Sequence, residues 1–89
     1  MLVEKSARTV FTPLDDGTGV LLNVDTLYYY SINRTGVVLW KEIDAHSPST
    51  LENLIQVVFE RFEIDRDVAR QETTSFVEKL KALNLLRSG

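Results

Sequence analysis

The run Gly19-Val-Leu-Leu-Asn-Val-Asp-Thr-Leu-Tyr-Tyr-Tyr-Ser-Ile-Asn33 decides the fold. Two stretches rich in β-branched, aliphatic and aromatic residues, Val20 to Val24 and Leu27 to Ile32, flank the polar pair Asp25-Thr26. Such side chains suit a pleated, half-buried surface, and the short polar break reads as a reversal. The prediction is an antiparallel pair of strands. Side chains alternate along a strand, so Val20, Leu22 and Val24 share one face of the earlier strand. On the later strand Tyr28, Tyr30 and Ile32 share one face, and Leu27, Tyr29 and Ser31 the other. That strand is apolar or aromatic on both faces, so a second surface is expected to be covered by something other than the core.

Upstream, Asp15-Asp16-Gly17-Thr18-Gly19 is a turn signal, because glycine accepts positive φ without a Cβ clash. It implies a preceding strand from Arg8 to Leu14, irregular or at a sheet edge because Pro13 has no N–H for the ladder. Downstream the apolar period changes to that of helices. Asn33 is placed to cap a helix reaching about Asp44, with Gly36, Leu39, Trp40 and Ile43 on one side. Ser49-Thr50-Leu51-Glu52 has capping-box spacing and opens a helix bearing Leu51, Leu54, Ile55, Val58, Phe59 and Phe62. Asp65 or Asp67 caps a third helix carrying Val68, Thr73, Phe76, Val77, Leu80 and Leu83. Asn84 suits the left-handed conformation that ends it, and Leu85 and Leu86 fold back on the core. Strands followed by helices give an α+β class, a three-stranded antiparallel sheet followed by three helices.

The 89 residues make one domain, 1–89, with little depth for both a core and a catalytic cleft. There is no cysteine, which removes disulfides, thiolate nucleophiles and cysteine metal sites. The lone His46, in the polar connection Asp44-Ala-His-Ser-Pro48, has no orienting partner by local spacing and cannot make a zinc site alone. Asp15-Asp16 before Gly17 reads as a turn, and Glu63, Asp65 and Asp67 lack the rest of a calcium loop. No enzyme, no metal and no cofactor is the expectation. A net charge of −3 with scattered cations argues against a nucleic-acid partner, and no apolar run is long enough for a membrane span or a signal core. A cytoplasmic location follows as the default.

The strand with Tyr29-Tyr30-Ser31-Ile32-Asn33, followed by Thr35-Gly36 and a helix bearing Trp40, is a fairly specific order. With Thr50-Leu-Glu-Asn-Leu-Ile55, Phe59, Phe62, Phe76-Val-Glu-Lys-Leu80 and Leu83-Asn-Leu-Leu86, it resembles the family of the pyrroloquinoline quinone biosynthesis protein D over about Val10 to Arg87. That family is the recognition element of ribosomally made, post-translationally modified peptides. The resemblance implies a winged helix-turn-helix-like fold that binds a precursor's leader segment. The leader would add as an antiparallel strand to the free edge of the third strand and lie against the third helix. Quinone-pathway members tend to carry a Pro-Glu-like element where this chain has Val24-Asp25-Thr26. The Leu-Asn-x-Asp-Thr-x-x-Tyr-Tyr pattern looks more like the recognition proteins of lasso-peptide pathways. There the partners are a leader peptidase and a ring-closing enzyme.

Carried onto this chain, the resemblance places backbone pairing at Leu27, Tyr28, Tyr29, Tyr30 and Ser31 and the facing wall at Ala69, Glu72, Thr73 and Phe76. Tyr30, Ile32, Trp40, Phe59, Phe62, Val77 and Leu80 read as core, Phe76 as core with an edge on the groove, and Tyr28 and Tyr29 as open to either. Three alternatives stand beside it. One is a peptide chaperone of a quinone-cofactor or other pathway. The second is a winged-helix DNA-binding protein, for which Glu52 and Glu60 beside Arg61 make a poor phosphate reader. The third is a structural subunit whose open edge pairs with a second copy, making it a monomer or a weak edge-paired dimer.

Overall fold

In the computed structural model, which describes residues 2–88, the chain runs β1 (Leu2–Lys5), β2 (Thr9–Pro13), β3 (Gly19–Asn23), β4 (Tyr29–Ile32), α1 (Arg34–Ala45), β5 (Ser49–Thr50), α2 (Leu51–Phe62), α3 (Arg66–Ala82) and β6 (Leu86–Ser88). The α+β class and the three helices match the expectation. The single sheet does not. Alongside the predicted β2-β3-β4 sheet is a second one of order β5-β1-β6, also antiparallel. Its central strand is the N-terminal segment, with Val3 fully buried, so residues 2–5 clasp the entry to α2 against the chain's end. Leu85 and Leu86 do return to the core, the latter as a strand.

β2 and β3 are joined by the predicted turn, in which Gly17 has φ of 88° and the Asp16 carboxylate accepts from the Thr18 N–H and hydroxyl. Those bonds to the charged form hold the Asp16 carboxyl below its usual range. β3 pairs with β4 through Leu21↔Tyr30 and Gly19↔Ile32. Its core face is Gly19, Leu21 and Asn23.

Asn23 organises the reversal into β4. Its amide oxygen accepts from the Asp25 and Thr26 N–H groups, at 2.9 and 3.2 Å. Its amide nitrogen donates to the Asn84 carbonyl at the end of α3, at 3.1 Å. Asn84 has the expected left-handed backbone, φ 59°. Three hydrogen bonds by one side chain that is only 5% exposed make Asn23 the tie between the hairpin and the last helix. At about 1 kcal/mol for each bond, and more for a buried group left unpaired, Asn23→Ala is expected to cost about 2–4 kcal/mol in chemical denaturation. A loss below about 1 kcal/mol would show that the reversal is held by other contacts.

Asn33 caps α1 as predicted, its side chain accepting from the Gly36 N–H at 2.9 Å. The start of α2 corrects the capping-box reading by one residue. Thr50, not Ser49, accepts from the Asn53 N–H, and the Ser49 hydroxyl donates to the His46 carbonyl. Glu52 turns away from the cap to meet Arg70 of α3 at 2.9 and 3.2 Å, and this lowers its carboxyl pKa. Asp65 stands at the N-cap of α3 without a side-chain bond. The core joins Leu21 and Ile32 of the hairpin to Trp40 and Ile43 of α1, Leu54, Ile55 and Val58 of α2, and Val77 and Leu80 of α3. Tyr30, Phe59 and Phe62 lie at its margin, half-buried.

Candidate functional site

β4 is the end strand of its sheet, with β3 on one side and no strand on the other among the described residues. The N-terminal segment lies in the other sheet, so it does not close this edge. Which backbone groups face outward follows from the ladder. The Asn23 N–H donates to the Tyr28 carbonyl at 2.9 Å, marking Asn23 and Tyr28 as a hydrogen-bonded pair. Such pairs alternate with non-bonded ones along an antiparallel ladder. Given the register, Tyr30 and Ile32 then bond inward to Leu21 and Gly19. Tyr29 and Ser31 turn their N–H and C=O groups to the open edge.

The open edge is shorter than the segment Leu27 to Ser31. Leu27 has a left-handed backbone, φ 61°, which a side chain with a Cβ rarely adopts, and its N–H is taken by the Asn23 carbonyl. Tyr28 precedes the strand. Leu27, Tyr28 and Tyr29 are 73%, 68% and 72% exposed, three consecutive large side chains without cover. For Tyr28 and Tyr29, open to core or groove in the sequence, the structure excludes the core. An exposed apolar run of this kind is characteristic of a binding surface.

Beside this edge lies a groove of about 640 Å³ between β4, the start of α1 and α3. Tyr30, Leu39, Val68 and Phe76 supply its apolar surface, and Glu72, Ser75 and Lys79 line it from α3. Gly36 makes room for the Phe76 ring and the Ile32 side chain here. A Cβ on it would come within 2.9 Å of Ile32 Cβ and 3.0 Å of Phe76 Cε1. Phe76 is half-buried, core on one side and groove wall on the other.

Two residues assigned to the wall belong elsewhere. Ala69 and Thr73 are fully buried and do not line the groove. The wall is the stripe Val68, Glu72, Ser75 and Lys79, rotated by one residue, about 100° around the helix. Glu72 and Phe76 line the groove. Thr73 has a fully buried hydroxyl with no hydrogen-bond partner. Thr73→Val keeps the shape and removes that polar group, so it is expected to leave stability unchanged or raise it by about 1–2 kcal/mol. A marked drop in the melting temperature would mean that the hydroxyl has a partner in solution.

A second groove, of about 590 Å³, is lined by the β2–β3 turn, α1 and α2, with Arg34, Lys41 and Arg61 at its rim. The one strand residue on its lining is Pro13, at the end of β2, which has no N–H to offer a guest strand. No cluster of three or more metal-ligating side chains occurs among the described residues, and no helix there is long and apolar enough to cross a membrane.

The family model described as coenzyme PQQ synthesis protein D (PqqD) matches residues 18–86. Two solved structures share the fold. One is TbiB1 in complex with the TbiA(beta) leader peptide, at TM-score 0.83 and 20% identity, covering 94% of each chain. The other is a lasso peptide synthetase B1 complexed with the leader peptide, at TM-score 0.78 and 20% identity, covering 96% of each chain. No curated protein sequence matches the chain.

Proposed function

We propose that this chain, which belongs to the coenzyme PQQ synthesis protein D (PqqD) family, binds the leader segment of a ribosomally made precursor peptide by strand addition to β4. The observation that carries this reading is the open β4 edge, with Tyr29 and Ser31 facing out, beside an apolar groove closed on its far side by α3. Main-chain bonds to an edge supply affinity whatever the guest sequence, and alternate side chains entering a groove supply selectivity. The exposed Leu27 and Tyr28 extend the contact surface beyond the strand. The leader peptides bound by the two structures of the same fold support the assignment.

The role is recognition without catalysis. The chain holds the leader and presents the precursor to separate maturation enzymes, a leader peptidase and a ring-closing enzyme of a lasso-peptide pathway. In solution it acts as a monomer or a weak edge-paired dimer. The exposed α2 acids Glu52 and Glu60 near Arg61 favour this over duplex binding.

Calorimetric titration with a synthetic leader from the precursor encoded beside the protein tests the reading. One-to-one binding is expected, with none to a scrambled peptide of the same composition. Equal binding of both peptides would count against a specific groove, and binding of neither would refute the assignment.

A further inference from the structure

The proposed groove is apolar through its middle and carries only two charged residues on its lining, Glu72 and Lys79. Both are exposed, and neither has an ion-pair partner among the described residues. They are separated in a definite direction. Lys79 Nζ lies over the Tyr30 ring, 6.0 Å from its centroid, beside the first half of β4. Phe76, one turn earlier on α3, reaches Gly36 just beyond the end of β4. Glu72 is one turn further on in the same direction. Seven residues of α-helix separate the two charges by about 10 Å.

We propose that Glu72 and Lys79 read the charge order of the bound segment, selecting a basic side chain near Glu72 followed by an acidic one near Lys79. This rests on the leader-binding reading of the same groove. The order follows from strand direction. Antiparallel pairing is the more stable kind, and every strand pair described in this protein is antiparallel. A guest antiparallel to β4 runs from the Ile32 end to the Tyr29 end, so it passes Glu72 before Lys79. Same-face positions in a strand recur every two residues, at about 6.8 and 13.6 Å, which bracket the helical separation. The base therefore precedes the acid by two or four residues, with the apolar side chains of the guest meeting Val68, Leu39 and Phe76. The guest is an amphipathic extended peptide with a charge polarity.

The test compares the unaltered protein with Glu72→Lys, Lys79→Glu and the double variant. The probes are the synthetic leader from the precursor encoded beside the protein and a copy with the basic and acidic residues of its bound stretch interchanged. Each single reversal is expected to weaken leader binding about two- to tenfold at low salt, the range for exposed ion pairs made repulsive. The effect should shrink in about 0.5 M salt. The double variant should prefer the interchanged leader. Both side chains are exposed, so circular dichroism should show an unchanged fold. Full-strength leader binding by all three variants would overturn the charge reading and leave strand addition standing. A leader with no base and acid in this order, or the double variant keeping its preference for the original, would also overturn it. Failure of the unaltered protein to bind the leader would overturn both.

Discussion

Ser31→Pro is expected to weaken leader binding by about ten- to a hundredfold while leaving the domain folded. The Ser31 N–H points to the open edge of β4, not to β3, so proline there removes no bond of the resident sheet. It removes one donor from the incoming strand and sets a ring where the guest backbone would approach. A carbonyl left without its partner in a closing interface costs about 1–3 kcal/mol, which converts to that range. Proline is tolerated on edge strands with the N–H side outward. The neighbouring change gives the contrast. Tyr30→Pro removes a donor aimed at Leu21 in the sheet interior and is expected to lower the unfolding free energy by several kcal/mol. Calorimetry for binding and denaturant melts for stability separate the two. If Ser31→Pro bound the leader normally, backbone pairing at this edge would be wrong.

The largest stability effect is expected in the second sheet. Val3 is fully buried at the centre of the second sheet, paired with Ser49 on one side and Ser88 on the other. Val3→Asp places a carboxylate at a fully buried position that an apolar side chain fills. Burying an unpaired charge costs several kcal/mol, comparable with the whole stability of a small domain. The variant is expected to be largely unfolded at neutral pH by circular dichroism, whereas Val3→Ala loses about 1–3 kcal/mol and stays folded. A folded Val3→Asp protein would show that β1 is dispensable to the core. The clasp matters to the groove because β6 and β1 hold the end of α3, the helix that supplies the far wall.

The contrast between the two sheets explains what the sequence could disclose. The Val20–Ile32 hairpin was legible because strand formers run on both sides of a polar reversal, and the helices because their apolar periods are long. Asn33 and Gly36 stood out by position and did what capping and close packing ask of them. The second sheet left almost no pattern. Its strands span four, two and three residues, and each buries only one side chain fully: Val3, Ser49 and Leu86. No alternation can be read from one residue, and their pairing joins positions more than 40 apart.

At the site, the edge strand and one of the two helix faces behaved differently. The family resemblance could place a wall on α3 but not its rotation. Ala69 and Thr73 are small and weakly apolar, so they suited a groove and a tight core equally; packing decided for the core. The outward pair Tyr29 and Ser31 was hidden for another reason. Both strand faces are visible in a sequence, but the in-plane direction of each N–H depends on register. One backbone bond, Asn23 to Tyr28, sets it. Asn23 itself carries a sequence signal, since an asparagine two residues before a polar reversal is suited to an Asx turn.

Amide hydrogen exchange resolved at single residues, with and without the synthetic leader, measures the open edge of β4 most directly. The Tyr29 and Ser31 amides should exchange freely in the unbound protein and slow together on saturation, while Tyr30 and Ile32, already bonded to β3, change little. Saturating leader that leaves Tyr29 and Ser31 exchanging at their unbound rates would contradict strand addition.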